Sequence, residues 1–185
     1  MAKAAIFLAE GFETVEALAV VDLCRRAGVE LDTVSITEEK RVVSSQSIPV
    51  EADKVMAQAE LDSYDMLILP GGMPGTVNLE NCEALMQKLD EFNEKGKNLS
   101  AICAAPRIFG KRGFLKGRKA TCYPGAEVFL EGADHTGSAL EIDGHFITSR
   151  GMGTATQFGL AIVERLMGAD TAREVAEKIT FEGQG

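Results

Sequence analysis

Short continuous apolar runs alternate along this chain with longer segments whose apolar residues recur at helical spacing. Residues 4–8 form an apolar run that predicts a strand, residues 13–27 an amphipathic helix stopped by Gly28, and residues 31–36 a second strand. This is a βαβ opening. Val42-Val43 and Ile48-Pro49-Val50, separated by the polar Ser44-Ser45-Gln46-Ser47, predict a short hairpin excursion. Residues 66–69 form another apolar strand, which ends in Pro70-Gly71-Gly72. A helix over residues 83–95 with Gly96 as its stop follows, and a strand over 98–102 then runs directly into Cys103. Residues 119–121 read as a further strand. Residues 139–142 and 145–149 read as two strands joined at Asp143-Gly144, and the last helices cover about 154–167 and 171–179. No internal repeat is present, and only the tail from Glu182 to Gly185 reads as disordered.

Continuous apolar strands separated by helices predict an α/β fold whose mostly parallel sheet is covered on both faces. At 185 residues the chain has the length of one such domain, spanning 1–185. In these folds the site lies beyond the carboxyl ends of the strands. Three features fall there: the segment Glu10 to Glu16, the pair Gly71-Gly72, and Cys103.

Cys103 stands where a strand meets the small-residue segment Ala104-Ala105-Pro106, a strand-to-helix elbow. The N–H groups and dipole of the following helix favour an anion there, and predict a thiol titrating below about 7.5. The alternative is a small core hydrophobe, as most free cysteines are, and the local sequence leaves both readings open. Glu16 lies on the apolar stripe of Phe12, Ala19, Val20 and Leu23. Burial there would raise its pKa and let it donate a hydrogen bond to a thiolate, whereas Glu13 reads as the residue that serves the helix N-terminus. Gly71 and Gly72 permit close approach of the backbone to a reacting centre. The N–H groups of Gly72 and Ala104 are candidate oxyanion donors beside Cys103. Cys122 and Tyr123 follow the strand at 119–121 and read as bordering the same crevice, while Cys24 and Cys82, in helical contexts, read as structural. His135 and His145 read as surface residues, which leaves an ordinary Cys-His hydrolase without its base.

A formal charge of −9, with no cluster of Lys and Arg among aromatics, argues against a nucleic-acid partner. No apolar run is long enough to cross a bilayer. The 4 cysteines lack regular spacing and no metal-ligand pattern accompanies them, so they read as free thiols in a cytoplasmic protein with neither metal nor cofactor. Gly151-Met152-Gly153 starts like a dinucleotide fingerprint but lacks its last glycine, and nucleotide binding is set aside. The first helix is apolar on more than one face, with Val15, Ala17, Leu18 and Val21 flanking the Glu16 stripe, and predicts a homodimer.

The segments Gly11-Phe12-Glu13-Thr14-Val15-Glu16-Ala17, Leu67–Gly72, Ala101–Pro106 and Thr148–Thr154 resemble the ThiJ/PfpI superfamily, and within it the DJ-one branch. The resemblance implies a flavodoxin-like three-layer α/β/α sandwich. It further implies Cys103 as nucleophile on the elbow, Glu16 as the protonated glutamate touching it, Gly72 and Ala104 as backbone donors, and a homodimer. The implied activity is that of a cysteine-dependent, glutathione-independent glyoxalase or deglycase acting on a small carbonyl compound such as methylglyoxal. The implied alternative is a redox sensor or chaperone that responds to oxidation of Cys103. Two features depart from the branch: Tyr123 stands where histidine is frequent, and Ser45-Gln46 where serine-arginine is frequent. Protease-like members carry histidine directly after the cysteine, where this chain has Ala104. That difference disfavours proteolysis.

Overall fold

The computed structural model describes residues 1–183, so Gln184 and Gly185 of the expected disordered tail lie outside the described residues. In chain order the elements are β1 (Lys3–Leu8), α1 (Thr14–Arg26), β2 (Glu30–Ser35), β3 (Arg41–Val43), β4 (Pro49–Glu51), β5 (Lys54–Val55), β6 (Met66–Leu69), α2 (Gly75–Glu80), α3 (Glu83–Glu94) and β7 (Asn98–Ile102). There follow α4 (Pro106–Lys111), β8 (Lys119–Ala120), β9 (Asp134–His135), β10 (Leu140–Asp143), β11 (Phe146–Ser149), α5 (Ala155–Met167) and α6 (Ala169–Lys178).

Seven strands form the central sheet in the order β10-β11-β7-β6-β1-β2-β5. All neighbours are parallel except β10 against β11. The side-chain alternation of β1 divides the core between the two faces. Ala4, Ile6 and Leu8 pack with α1, α5 and α6, whereas Ala5 and Phe7 pack with α2, α3 and α4. Because β1 is buried on both faces, it carries no polar residue after Lys3; a fully buried Ile6 or Phe7 contributes about 1.5–3 kcal/mol. The fold is thus an α/β sandwich of the flavodoxin-like type.

Tertiary context decided several local details. β5 has only two residues, yet it joins the sheet because the preceding Asp53 carboxylate accepts hydrogen bonds from the Thr33 N–H at 2.8 Å and the Thr33 hydroxyl at 2.7 Å. Helix α2, absent from the periodicity, starts at Gly75, where a Cβ would meet the Phe12 nitrogen at 2.6 Å. The last hairpin turns at Gly144-His145 rather than Asp143-Gly144. Asp143 pairs with Phe146 in the ladder, and its carboxylate accepts the Lys119 N–H at 2.9 Å. The strand expected at 119–121 shrinks to two residues pairing with β9 outside the main sheet, since the Thr121 N–H is taken by the Thr148 hydroxyl at 3.0 Å. His135 is exposed as expected. His145 is half-buried, with its ring against Phe146 and Nε2 3.0 Å from Asn93 Oδ1. On α1 the expected second apolar face is narrower than the sequence implied, because Ala17 and Val21 are buried in the core and Val15 and Leu18 remain toward solvent.

Candidate functional site

The carboxyl ends of β1, β6, β7 and β11 meet around Cys103. Cys103 has φ +65°, a conformation that costs a residue with a side chain about 1–3 kcal/mol and persists only when neighbours impose it. They do so through the backbone. The Cys103 N–H donates to the Ser149 carbonyl at 2.9 Å, the Tyr123 N–H donates to the Cys103 carbonyl at 2.8 Å, and the Ala105 N–H reaches back to the Ile102 carbonyl at 3.1 Å. The elbow read from the sequence is therefore present, locked from three sides.

Glu16 comes from the first turn of α1 and is only 1% exposed. Glu13 fixes that turn, its carboxylate accepting the Glu16 N–H at 2.7 Å. The Glu16 side chain crosses to the end of β6, where Oε2 accepts the Gly71 N–H at 2.9 Å. Its other oxygen, Oε1, is buried without a hydrogen-bond partner of regular geometry among the described residues. The Cys103 thiol lies against this carboxyl.

The two glycines are required by space. A Cβ on Gly71 would stand 2.6 Å from Glu16 Oε2 and 2.7 Å from Cys103 Cβ. Gly72 has φ +93°, and a Cβ there would meet the Glu13 nitrogen at 2.4 Å. The N–H groups of Gly72 and Ala104 lie close enough to the Cys103 sulfur to favour its charged form.

Burial lifts the Glu16 carboxyl to about 7; the nearby Glu13 charge adds to this, while hydrogen bonding from Cys103 and from the Gly71 N–H opposes it. The thiol departs from the expected acidic behaviour. Burial pushes Cys103 up to about 12, negative charge on Glu16 adds to the rise, and the N–H groups of Ala104 and Gly72 act against it. Helix α4 opens only at Pro106 and is six residues long, so its N-terminus supplies little to offset burial. Thiolate and carboxylate oppose one another across this dry contact, so Glu16 gives up its proton before Cys103 does.

Tyr123 borders the site with its ring 56% exposed. Cys122 does not share that position. It is 1% exposed and packed among the core side chains on the α2–α4 face, where burial pushes its thiol up to about 11. Cys24 is fully buried in α1. Cys82 is half-buried at the start of α3. The sequence reading missed the segment after β11. Arg150, Gly151, Met152, Gly153 and Thr154 join Tyr123 and Pro124 in lining a groove of about 380 Å³. A Cβ placed on Gly151 would lie 3.5 Å from the Tyr123 ring and 4.0 Å from Cys103 Sγ. Its signal was available, because residues 145–149 were a strand whose end had to fall beside the others. Among the described residues, no three His, Cys, Asp or Glu side chains gather as a metal site would.

Residues 2–165 match the DJ-1/PfpI family model. Protein DJ-1 homolog B of Arabidopsis thaliana is 37% identical over 179 residues, covering 94% of this chain and 40% of that protein. The Parkinson disease protein 7 homolog of Danio rerio is 34% identical over 177 residues, covering 94% of each. The chain spans less than half the length of the two Arabidopsis relatives, 40% and 44%, but nearly all of the zebrafish one. Among solved structures, oxidized Toxoplasma gondii DJ-1 superposes with a TM-score of 0.94 at 29% identity, covering 99% of this chain and 100% of that one. Drosophila melanogaster DJ-1beta does so at 0.92 and 31%, covering 98% and 99%. A strained cysteine elbow facing a buried glutamate, on a sheet of this topology and with these relatives, makes the chain a member of the DJ-1/PfpI family.

Proposed function

We propose that the chain is a cysteine-dependent, glutathione-independent enzyme that converts methylglyoxal, free or in its early adducts, to lactate. The observation that carries this reading is the Glu16 carboxyl, buried against the Cys103 thiol and holding a pKa of about 7. A group with that pKa exchanges protons in both directions at neutral pH.

In the first step the Cys103 sulfur bonds to the aldehyde carbon. The carbonyl electron pair moves to oxygen, that oxygen takes the thiol proton by way of Glu16, and a hemithioacetal results. The N–H groups of Gly72 and Ala104 stabilise the charge that passes from sulfur to oxygen. Glu16 as carboxylate then removes the proton from the former aldehyde carbon, giving an enediolate, and returns it to the adjacent carbon while the hydroxyl proton passes from the first oxygen to the second. The product of that exchange is a lactoyl thioester. Water adds to its carbonyl, the carbon–sulfur bond breaks, and lactate leaves with Cys103 restored. Overall, methylglyoxal plus water becomes lactic acid, with no oxidant or reductant consumed.

The test is a glutathione-free methylglyoxal assay on metal-free protein, with D- and L-lactate resolved and Cys103→Ser as control. Lactate formation that disappears in Cys103→Ser supports the reading, and its absence from the unaltered protein overturns it.

One observation favours a second reading. The Gly72 and Ala104 N–H groups and the protonated Glu16 would also hold two oxygens on sulfur, as after stepwise oxidation of Cys103 by two equivalents of peroxide to the sulfinate, each releasing water. Selective peroxide oxidation of Cys103 in a protein without turnover would support that sensor.

A further inference from the structure

The groove next to Cys103 is too large and too apolar for the methyl group of methylglyoxal. It is lined by Tyr123 and Met152, each 56% exposed, together with Pro124, Arg150, Gly153 and Thr154. Gly151 stands between groove and sulfur. Its backbone, at φ 166° and ψ −171°, is extended in a way any residue can adopt, so main-chain conformation does not demand a glycine here. A Cβ at 151 would make ordinary van der Waals contact, 3.5 Å from the Tyr123 ring and 4.0 Å from Sγ, and would narrow the passage between groove and sulfur without a clash. A 2-oxoaldehyde bonded through its aldehyde carbon to Cys103 carries its substituent one carbonyl further out, along this passage.

Resting on the glyoxalase reading for its chemistry, we infer that the Tyr123–Met152 groove selects 2-oxoaldehydes with a flat apolar substituent, aryl above methyl, and that Gly151 is the gate through which that substituent passes. Tyr123 offers a ring face and Met152 a polarizable thioether, the two kinds of surface that favour an aromatic ring. The same groove gives little to a methyl group.

The test measures two ratios in the full-length protein. The first is kcat/KM for phenylglyoxal over methylglyoxal, followed as mandelate and lactate. The second is the rate of Cys103 alkylation by phenacyl bromide over bromoacetone, followed by intact mass, which needs no turnover. Both ratios are expected to exceed those of the reactions with free thiol and to fall about tenfold in Gly151→Ala and in Tyr123→Ala with Met152→Ala. Circular dichroism confirms that each variant is folded. Ratios unchanged by these substitutions overturn the inference, whatever the activity. A preserved alkylation preference with no lactate from methylglyoxal supports the groove while overturning the glyoxalase reading.

Discussion

The Glu16 carboxylate accepts the Gly71 N–H at 2.9 Å, and this bond ties the first turn of α1 to the end of β6. It holds Oε2, while Oε1 is buried without a regular hydrogen-bond partner among the described residues. Gly71 thereby positions the acid, and Glu16 occupies the space that any larger residue at 71 would need.

Glu16→Gln preserves size and a donor but cannot exchange a proton. Methylglyoxal turnover is expected to fall by at least about 100-fold, within the range that general acid–base groups supply. Tyr123→Phe keeps the ring and removes a hydroxyl that the proposed proton path does not use, so it retains most turnover. Steady-state lactate production by both variants checks this, and an active Glu16→Gln beside an inactive Tyr123→Phe would reverse the assignment.

Stability should fall with rising pH through the titration of Glu16. Its carboxyl ionises near 4.5 when unfolded and about 7 when folded, so the folded state binds the extra proton between those values. The contribution is fully present below about 4.5 and is lost as pH rises through 7. The full difference amounts to about 3 kcal/mol. Glu16→Gln removes this dependence, and urea denaturation at pH 5 and pH 8 should show the variant gaining on the unaltered protein only at the higher pH.

Gly71→Ala would press a methyl group against Glu16 Oε2 and Cys103 Cβ, both nearer than 2.8 Å. Overpacking of this kind costs about 1–3 kcal/mol. Chemical denaturation should register that loss, with slower Cys103 alkylation accompanying it.

Of the 4 cysteines, Cys24 and Cys122 are buried, and burial pushes their thiols up to about 12 and 11. Native-state alkylation followed by peptide mass mapping should label the two half-buried thiols, Cys82 and Cys103. Cys24 and Cys122 should react only in denaturant. Labelling of Cys122 as fast as Cys103 would contradict its placement in the core.

Val15 and Ile48 are each 47% exposed, and the Ser45 N–H donates to the Phe12 carbonyl at 2.9 Å, holding the β3–β4 loop against the start of α1. This apolar surface is the proposed face for a second copy of the chain. Sedimentation at micromolar concentration should give a dimer that Val15→Glu weakens. A monomer with the site intact would rule the interface out.

The order of elements was legible in the sequence because each depends on nearest neighbours. The apolar run at 66–69 and the helical spacing after Glu13 have few alternatives once the strands must be buried on both faces. The elbow at Cys103, the burial of Glu16 and the need for small residues at 71 and 72 were legible for the same reason, since each breaks an otherwise regular pattern. Tertiary structure alone decided what those residues meet. Cys122 and Tyr123 are adjacent in sequence, yet one thiol packs in the core while the next ring stands in solvent beside the site, and Gly151 reaches Cys103 from 48 positions away. The acidity of Cys103 also belonged to the folded state, because burial and the charge on Glu16 act through space at a point where the helix behind it is too short to prevail.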